Sequence, residues 1–343
     1  MRAYCAFEDR PDALIGAKLL ALSLERHCRD FKLYFGMAKE APEFAAWCQR
    51  FAPHVELIKL PPFTKTTIKQ VKPLVLLHVL KLGITDVTWL DTDILVLRDL
   101  EPLLAPLDDD TVLVAQDMDY PFESKPNLLK HYRRKSYREL EYTVNTAILR
   151  VTARHKVLLE KLMDCLQDPF FLEQQALPPF ERLEGFGFEQ KIFEMLLYSE
   201  GEEKTPIFPV HFIVEGSGMV QELGVTTYGV RARLSNGLGL TKPWLVHLAG
   251  IKSWNTEPQF HQYRSASVYS AFAETYRNQM GEPMDWPNSC GISSKIARVL
   301  SVGQPHWVGL AHCFAGKTVR LLKTGTLKRS GTNAKETVFD RPT

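Results

Sequence analysis

Long apolar runs are missing from this chain of 343 residues. No stretch of about 18 uncharged apolar residues occurs, so no segment reads as a membrane span. Cysteine is sparse: the six lie at Cys5, Cys28, Cys48, Cys165, Cys290 and Cys313. None forms a CxxC pair or another metal-ligand spacing, which excludes a cysteine-built metal site and fits a reduced, cytoplasmic chain. The opening MRAYCAF has no basic region ahead of a long apolar core, so it predicts a strand and not a secretion signal. Internal repeats and low-complexity tracts are also absent. Acidic residues are missing throughout Trp286 to Lys335, which carries eight Lys or Arg. From Trp286 to Thr343 nine basic residues face two acids (+7), and the 33 basic and 38 acidic residues before them carry −5, although the whole chain is near neutral at +2. What is present is an ordinary globular composition, 45% hydrophobic and 24% charged, long enough to bury a core as one large α/β domain or two.

Along the chain, short apolar runs alternate with helical patterns. RAYCAF (2–7) reads as a strand. DALIGAKLLALSLERHC (12–28) has helical spacing, with Asp12 as its cap. FKLYFGM (31–37) is a second strand and APEFAAWCQRF (41–51) a second helix. VELIKL (55–60) is a third strand, stopped by Pro61 and Pro62. TIKQVKPLVLLHVLKLG (67–83) is a helix with Pro73 in its first turn and Gly83 at its end. VTWLDTDILV (87–96) is a fourth strand. Further strands are expected over 110–118, 142–151 and 207–214, helices over 153–166 and 184–199, and a short strand leading into a loop over 241–255. Strand–helix alternation predicts a parallel sheet covered by helices on both faces, with ligands bound beyond the carboxyl ends of its strands.

That rule singles out VTWLDTDILVLRDLEPLL (87–104), where Asp91 and Asp93 interrupt two apolar runs. In a continuous strand, alternation turns both to the same side. Two neighbouring carboxylates repel, and without a cation one is driven toward protonation. A hard divalent ion such as Mn²⁺ or Mg²⁺ removes that penalty, and phosphate oxygens complete its shell. A D-x-D at a strand end therefore points to a metal–diphosphate site.

The same segment resembles the D-x-D region of GT-A-fold glycosyltransferases, closest to the retaining family 8, the glycogenin and lipopolysaccharide galactosyltransferase type. Three more stretches match that family in order: VNTAILRV with Asn145, FGFEQKIFEMLL with Glu189 and Gln190, and VHLAGIKSWN with His247, Gly250 and Lys252. Departures are Ala147 for a usual Gly, Glu189 for a usual Asp, and a loop shorter by one residue between Gly250 and Lys252. The resemblance covers roughly 1–255, which it implies is a GT-A catalytic domain with a mostly parallel, Rossmann-like sheet. Residues 256–343 are then a C-terminal basic extension of helices and loops. It further implies Asp91, Asp93 and His247 as metal ligands and Lys252 on the donor phosphates. Asp91, Thr92, Asn145 and Gly250 join the donor site. Cys5, Ala6 and Phe7 line the base, and Lys72 reaches phosphate. Asp117 contacts sugar hydroxyls, with Glu189 and Gln190 facing the anomeric carbon. The implied reaction transfers a sugar from a nucleotide-diphosphate donor, a UDP-sugar by family resemblance, to a glycan, lipid, protein or small-molecule acceptor, with retention.

Three other readings stand beside this one. AHCFAGKT (311–318) fits a relaxed phosphate-binding loop, A-x4-G-K-T, but lacks a good preceding strand. DTDILV resembles the nucleophile motif of Asp-based phosphatases, although three strand–helix units precede it here. A non-catalytic nucleotide-sugar binder carries the same residues. No nucleic-acid partner is expected. In the tail, Ile292, Ile296, Val299 and Leu300 share one helical face flanked by Lys295 and Arg298. Trp307, Phe314 and Leu321 stand beside Lys317, Arg320 and Lys323. Basic charge beside apolar residues suits an anionic membrane surface, so peripheral contact at the inner face of a membrane is the expectation for this region, against plain packing on the main domain or disorder.

Overall fold

The computed structural model describes residues 2–117, 125–138, 140, 142–199, 205–210, 219–222 and 243–248. The expected loop after 248, with Gly250 and Lys252, and the whole extension over 256–343 lie outside the described residues. The chain begins with alternating elements: β1 (Arg2–Phe7), α1 (Leu14–His27), β2 (Leu33–Met37), α2 (Pro42–Phe51), β3 (Val55–Lys59), α3 (Val71–Lys81) and β4 (Asp86–Leu90). Next come β5 (Ile94–Val96), α4 (Glu101–Leu104), β6 (Val112–Gln116), α5 (Lys125–His131), β7 (Val144–Thr152), α6 (Lys156–Gln167) and α7 (Pro169–Ala176). The described elements end with α8 (Glu189–Tyr198), β8 (Ile207–Val210), β9 (Met219–Glu222) and β10 (Leu245–Leu248).

Seven strands form one sheet in the order β3-β2-β1-β4-β7-β6-β8, and β5, β10 and β9 form a second, three-stranded sheet. The large sheet is mostly parallel and packed between helices, as the strand–helix alternation predicts. Side chains alternate across it. Tyr4 and Ala6 of β1 enter one apolar layer with α1 and α2, while Ala3 and Cys5 enter the other with α3, α6 and α8. Both faces being covered, β4 and β7 are buried along their whole length.

Two expectations need correction. The stretch 87–96 is not one strand. Its first half, β4, belongs to the large sheet and its second half, β5, to the small one, and Asp91, Thr92 and Asp93 make the turn between them. The turn closes where the Ile94 amide donates to the Asp91 carbonyl at 3.1 Å. Aspartate is depleted in strands and favoured at the first position of such turns, so the two acids break the apolar run they interrupt. Within the mostly parallel sheet, β7 runs antiparallel to both β4 and β6. That reversal brings the start of β7 to the edge where β1, β4 and β6 end. Second, Asp12 is not a helix cap. It lies inside a 3-10 turn, Pro11–Ala13, and the residue capping α1 is Ala13, with no side-chain bond. Pro11 pre-sets the turn's φ and draws the chain into helical geometry one residue before Asp12. Gly83, by contrast, follows the end of α3 as expected, with φ +87°, a left-handed conformation natural to glycine.

At the opposite end of β4, Arg150 of β7 is 1% exposed and holds Asp86 through two bonds of 3.0 Å. It also donates to the carbonyls of Asp108 and Thr111, each at 2.7 Å, and Arg2 of β1 adds a third bond to Asp86 at 3.0 Å. This cluster stitches β1, β4, β7 and the turn before β6 together. Removing one partner of a buried pair strands the other charge in low dielectric, which costs about 3–5 kcal/mol. Asp86→Ala is therefore expected to lower unfolding free energy by about that amount in urea titrations. A midpoint matching the wild type would show that Arg150 is satisfied by the two carbonyls alone.

Candidate active site

The residues that gather at the carboxyl edge of the large sheet do so through register and one irregularity. In the small sheet β10 runs antiparallel to β5, with His247 opposite Ile94, so the imidazole stands beside the turn that carries the acids. The Leu248 amide donates to the Asp93 carbonyl at 3.0 Å and locks this placement. Asp91, Asp93 and His247 each offer one ligand atom, and these atoms all lie within 4.8 Å of one another. Asp93 and His247 are nearly buried, with Nε2 3.4 Å from Asp93 Oδ1. Burial pushes the His247 pKa down to about 4, against the pull of Asp91, so the ring is neutral at physiological pH, the form that binds metals. Its Nδ1 is buried and has no hydrogen-bond partner among the described residues. Two carboxylates and a neutral imidazole form a donor set that suits a divalent ion.

A β-bulge shapes the other half of the site. Leu149 of β7 pairs with Val114 of β6, but the next β6 residue, Ala115, pairs with Asn145. Thr146 is thereby released from the β6 ladder. Its carbonyl and hydroxyl instead accept from the Lys72 ammonium at 2.7 and 2.9 Å. Lys72 is 5% exposed, and it lies 3.2 Å from Asp91 and 3.4 Å from Glu189. Trp89, whose ring centroid is 5.3 Å from that ammonium, donates from Nε1 to Asp91 Oδ1 at 2.5 Å. Glu189, the first residue of α8, also meets Lys69 at 3.6 Å. Desolvation alone would raise its pKa, but Lys72 and Lys69 outweigh it and hold the carboxyl below its usual value, so the group is an anion. Next to it, Gln190 donates to Asp117 at 2.9 Å, and Asn145 Nδ2 lies 3.5 Å from the same oxygen while its Oδ1 accepts from the Ala147 amide at 2.8 Å.

The tertiary structure thus brings together Asp91, Thr92, Asp93, His247, Lys72, Asn145, Asp117, Glu189 and Gln190. It does not place Cys5 and Ala6 where a base could touch them: both side chains are 0% exposed, one in each apolar layer, because strand alternation points them into the core. Of the three, only Phe7 reaches partial exposure, with its ring edge-on to Phe63 at 5.6 Å. Lys72 likewise lies beneath the site, its hydrogen bonds directed to Thr146 and the two carboxylates, and not outward toward a phosphate. Gly250 and Lys252 lie outside the described residues. Sequence reasoning missed Glu8, which is 3% exposed just beyond β1 and accepts from Thr92 Oγ1 at 3.2 Å and from Arg10 Nε at 2.8 Å. The rule that ligands gather beyond carboxyl ends of strands would have found it. Lys69 and Thr146 carried no sequence signal.

No protein-family model and no curated protein matches this chain. Solved structures give distant likenesses. One is the bifunctional glycosyltransferase WbbM in its apo form, with 16% identity and a TM-score of 0.47 over 80% of this chain and 51% of WbbM. The chain therefore spans about half the length of that protein. Another is a glycosyltransferase involved in the glycosylation of the major capsid of PBCV-1, with 9% identity and a TM-score of 0.42 over 81% of this chain and 98% of the other. Among the described residues no helix is long and apolar enough to cross a membrane.

One buried acid supports the site from below. Glu194, on α8 one turn after Gln190, is 0% exposed, and desolvation pushes its pKa up to about 7 despite Lys191 at 3.6 Å. An unfolded glutamate gives up its proton near its ordinary value of 4.5, so between there and about 7 the native state binds more protons than the unfolded one. Stability must fall as pH rises through that window, by at most about 1.4 kcal/mol per pH unit from this group. Glu194→Gln is expected to flatten the slope of unfolding free energy against pH between those limits. Identical slopes for variant and wild type would show that Glu194 titrates normally.

Proposed function

We propose that the protein is a metal-dependent glycosyltransferase that moves a sugar from a nucleotide-diphosphate donor, a UDP-sugar, to an acceptor with retention of configuration. The observation that carries this reading is the convergence of Asp91, Asp93 and His247 with an ionised Glu189, bridged by Lys72, at the carboxyl edge of an α/β sheet. A bound Mn²⁺ or Mg²⁺ would act as a Lewis acid that neutralises charge on the departing diphosphate. Asp91, Asp93 and His247 would hold that ion. The remaining chemistry belongs to the chain's own groups.

Glu189 offers fixed negative charge beside the place where a glycosyl group would sit. Such a charge stabilises the oxocarbenium-like centre that develops as the glycosidic bond breaks. Lys72 keeps Glu189 ionised and draws it and Asp91 together, so the two ends of the site share one counter-ion. Gln190 and Asn145 orient Asp117, and in this reading its carboxylate accepts hydrogen bonds from sugar hydroxyls. The amide of Gln190 is a poor nucleophile, so a front-face displacement, in which the leaving phosphate takes the acceptor's proton, agrees best with this set of groups. Lys252 on the diphosphate and Gly250 beside it remain part of the reading by family resemblance. Four buried free thiols, Cys5, Cys28, Cys48 and Cys165, agree with a cytoplasmic setting. Membrane contact through the basic extension rests on its composition alone.

Two variants test the reading, with nucleoside diphosphate release as the assay and a panel of nucleotide sugars plus Mn²⁺. Asp93→Ala is expected to lose about a hundredfold or more in metal-dependent donor cleavage while its circular dichroism stays native, since Asp93 sits in a turn at the sheet's edge. Near wild-type turnover in EDTA would sink the metal assignment. Glu189→Ala is expected to lower turnover far more than affinity for UDP, as befits a group acting on the sugar. Equal losses in both would make Glu189 a first-turn acid that stabilises α8. Donor binding without any turnover across the panel would identify a non-catalytic nucleotide-sugar binder.

A further inference from the structure

The loop between α7 and α8 is tightly anchored, yet it leaves large apolar side chains in water. Arg182 donates from Nε to the Leu177 carbonyl at 3.2 Å, from Nη2 to the Gln175 carbonyl at 3.3 Å and from Nη1 to the Gly187 carbonyl at 3.4 Å. The Leu183 amide donates to Gln174 Oε1 at 2.7 Å, and the Gln175 side chain donates to the Phe186 carbonyl. Phe186 is 0% exposed, packed among His131, Tyr132 and Phe170. Its neighbours do the opposite: Phe180 is 85% exposed and Phe188 57%. A pinned loop that buries one phenylalanine and presents two others is a preformed surface, and exposed apolar groups on such a surface mark contact sites.

Phe188 is placed where contact has chemical meaning. It is the residue immediately before Glu189, in extended conformation with φ −141° and ψ 145°. Glu189 turns inward to Lys72, while Phe188, one residue before it, stays exposed. Lys69 joins them, with its Nζ 5.1 Å from the Phe188 ring centroid and 3.6 Å from Glu189 Oε2. Lys69 in turn follows a turn rich in hydroxyls, in which Thr64 Oγ1 lies 3.0 Å from those of both Thr66 and Thr67. An exposed aromatic ring with an ammonium over it, paired in turn with a carboxylate, matches one ligand chemistry. A pyranose ring presents polarised C–H bonds on its flat face and hydroxyls around its rim. The negative face of a phenyl ring attracts the first, and charged or hydroxyl side chains bond the second. A lipid chain would need an apolar trough without these polar neighbours.

Resting on the transferase reading above, we propose that Phe188, with Lys69 beside it, forms the acceptor subsite and stacks against a sugar ring of a glycan acceptor, next to the carboxylate that faces the reacting carbon. The experiment labels position 188 with 4-fluorophenylalanine in the full-length protein and follows its ¹⁹F resonance during titration with lactose, maltose and cellobiose. At least one disaccharide is expected to shift the resonance saturably. With that sugar as acceptor, Phe188→Leu should lower the ratio of transfer to donor hydrolysis about tenfold, equivalent to about 1.4 kcal/mol, while Phe188→Tyr, which keeps the ring, should hold it near the wild-type value. A resonance unmoved by every disaccharide overturns the proposal. So does one moved by anionic lipid vesicles and not by sugars, or a Phe188→Leu ratio equal to that of the wild type. A protein that cleaves no nucleotide sugar but still shows the saturable shift would overturn the transferase reading and leave the sugar subsite standing.

Discussion

The site depends on one buried cation. An ammonium removed from water is tolerated only when its hydrogen bonds and charge are answered locally, and Lys72 is answered by Thr146, Asp91 and Glu189 together. These partners come from β7, from the turn after β4 and from the first residue of α8, while Lys72 itself rises from α3. One charge therefore fixes the relative positions of four elements that are distant in sequence. It also answers an electrostatic difficulty. Asp91 and Glu189 brought this close would repel, and burial of Glu189 would favour its neutral form; a shared counter-ion allows Glu189 to remain an anion.

The bulge in β7 is what makes this possible. A regular ladder would engage the Thr146 carbonyl with β6, and Lys72 would then face a saturated backbone. By skipping from Leu149 to Asn145 opposite consecutive β6 residues, the strand leaves Thr146 available on one side and sets Asn145 beside Asp117 on the other. At the far end of the same strands the ladder is regular, and the Arg150–Asp86 cluster ties the sheet together. Asp86 and Asp91 bound the same strand, β4. The first is enclosed by arginines and serves the fold, whereas the second stands in a turn with a lysine beneath it and faces the site.

The division of 87–96 between two sheets explains how the histidine arrives. A single strand would carry Asp91 and Asp93 along the large sheet and leave no edge for β10 to join. Breaking the run at the acids starts a second sheet, whose antiparallel pairing delivers His247 opposite Ile94. The D-x-D forms the turn through the local preferences of aspartate, and in the proposed function the same two residues supply oxygen donors.

By itself the sequence determined the local features. Hydrophobic periodicity marked the first three strands and α1, α2, α3 and α6 to within a few residues, because burial of one stripe or of alternate positions is written directly in residue spacing, whereas α4, α5 and α7 were not marked. Turn and breaker chemistry marked Gly83 and the prolines after β3. The motifs named Asp91, Asp93, Asn145, Glu189, Gln190 and His247, all of which gather in space. Only tertiary structure decided what those residues do for one another. That β7 reverses direction, that a bulge frees Thr146, that Lys72 points inward and that Cys5 and Ala6 are sealed in the core are outcomes of strand pairing and packing. These depend on partners far along the chain, and no local pattern encodes them. Asp12 shows the same limit in reverse: its cap signal was genuine, but the proline before it set the backbone first.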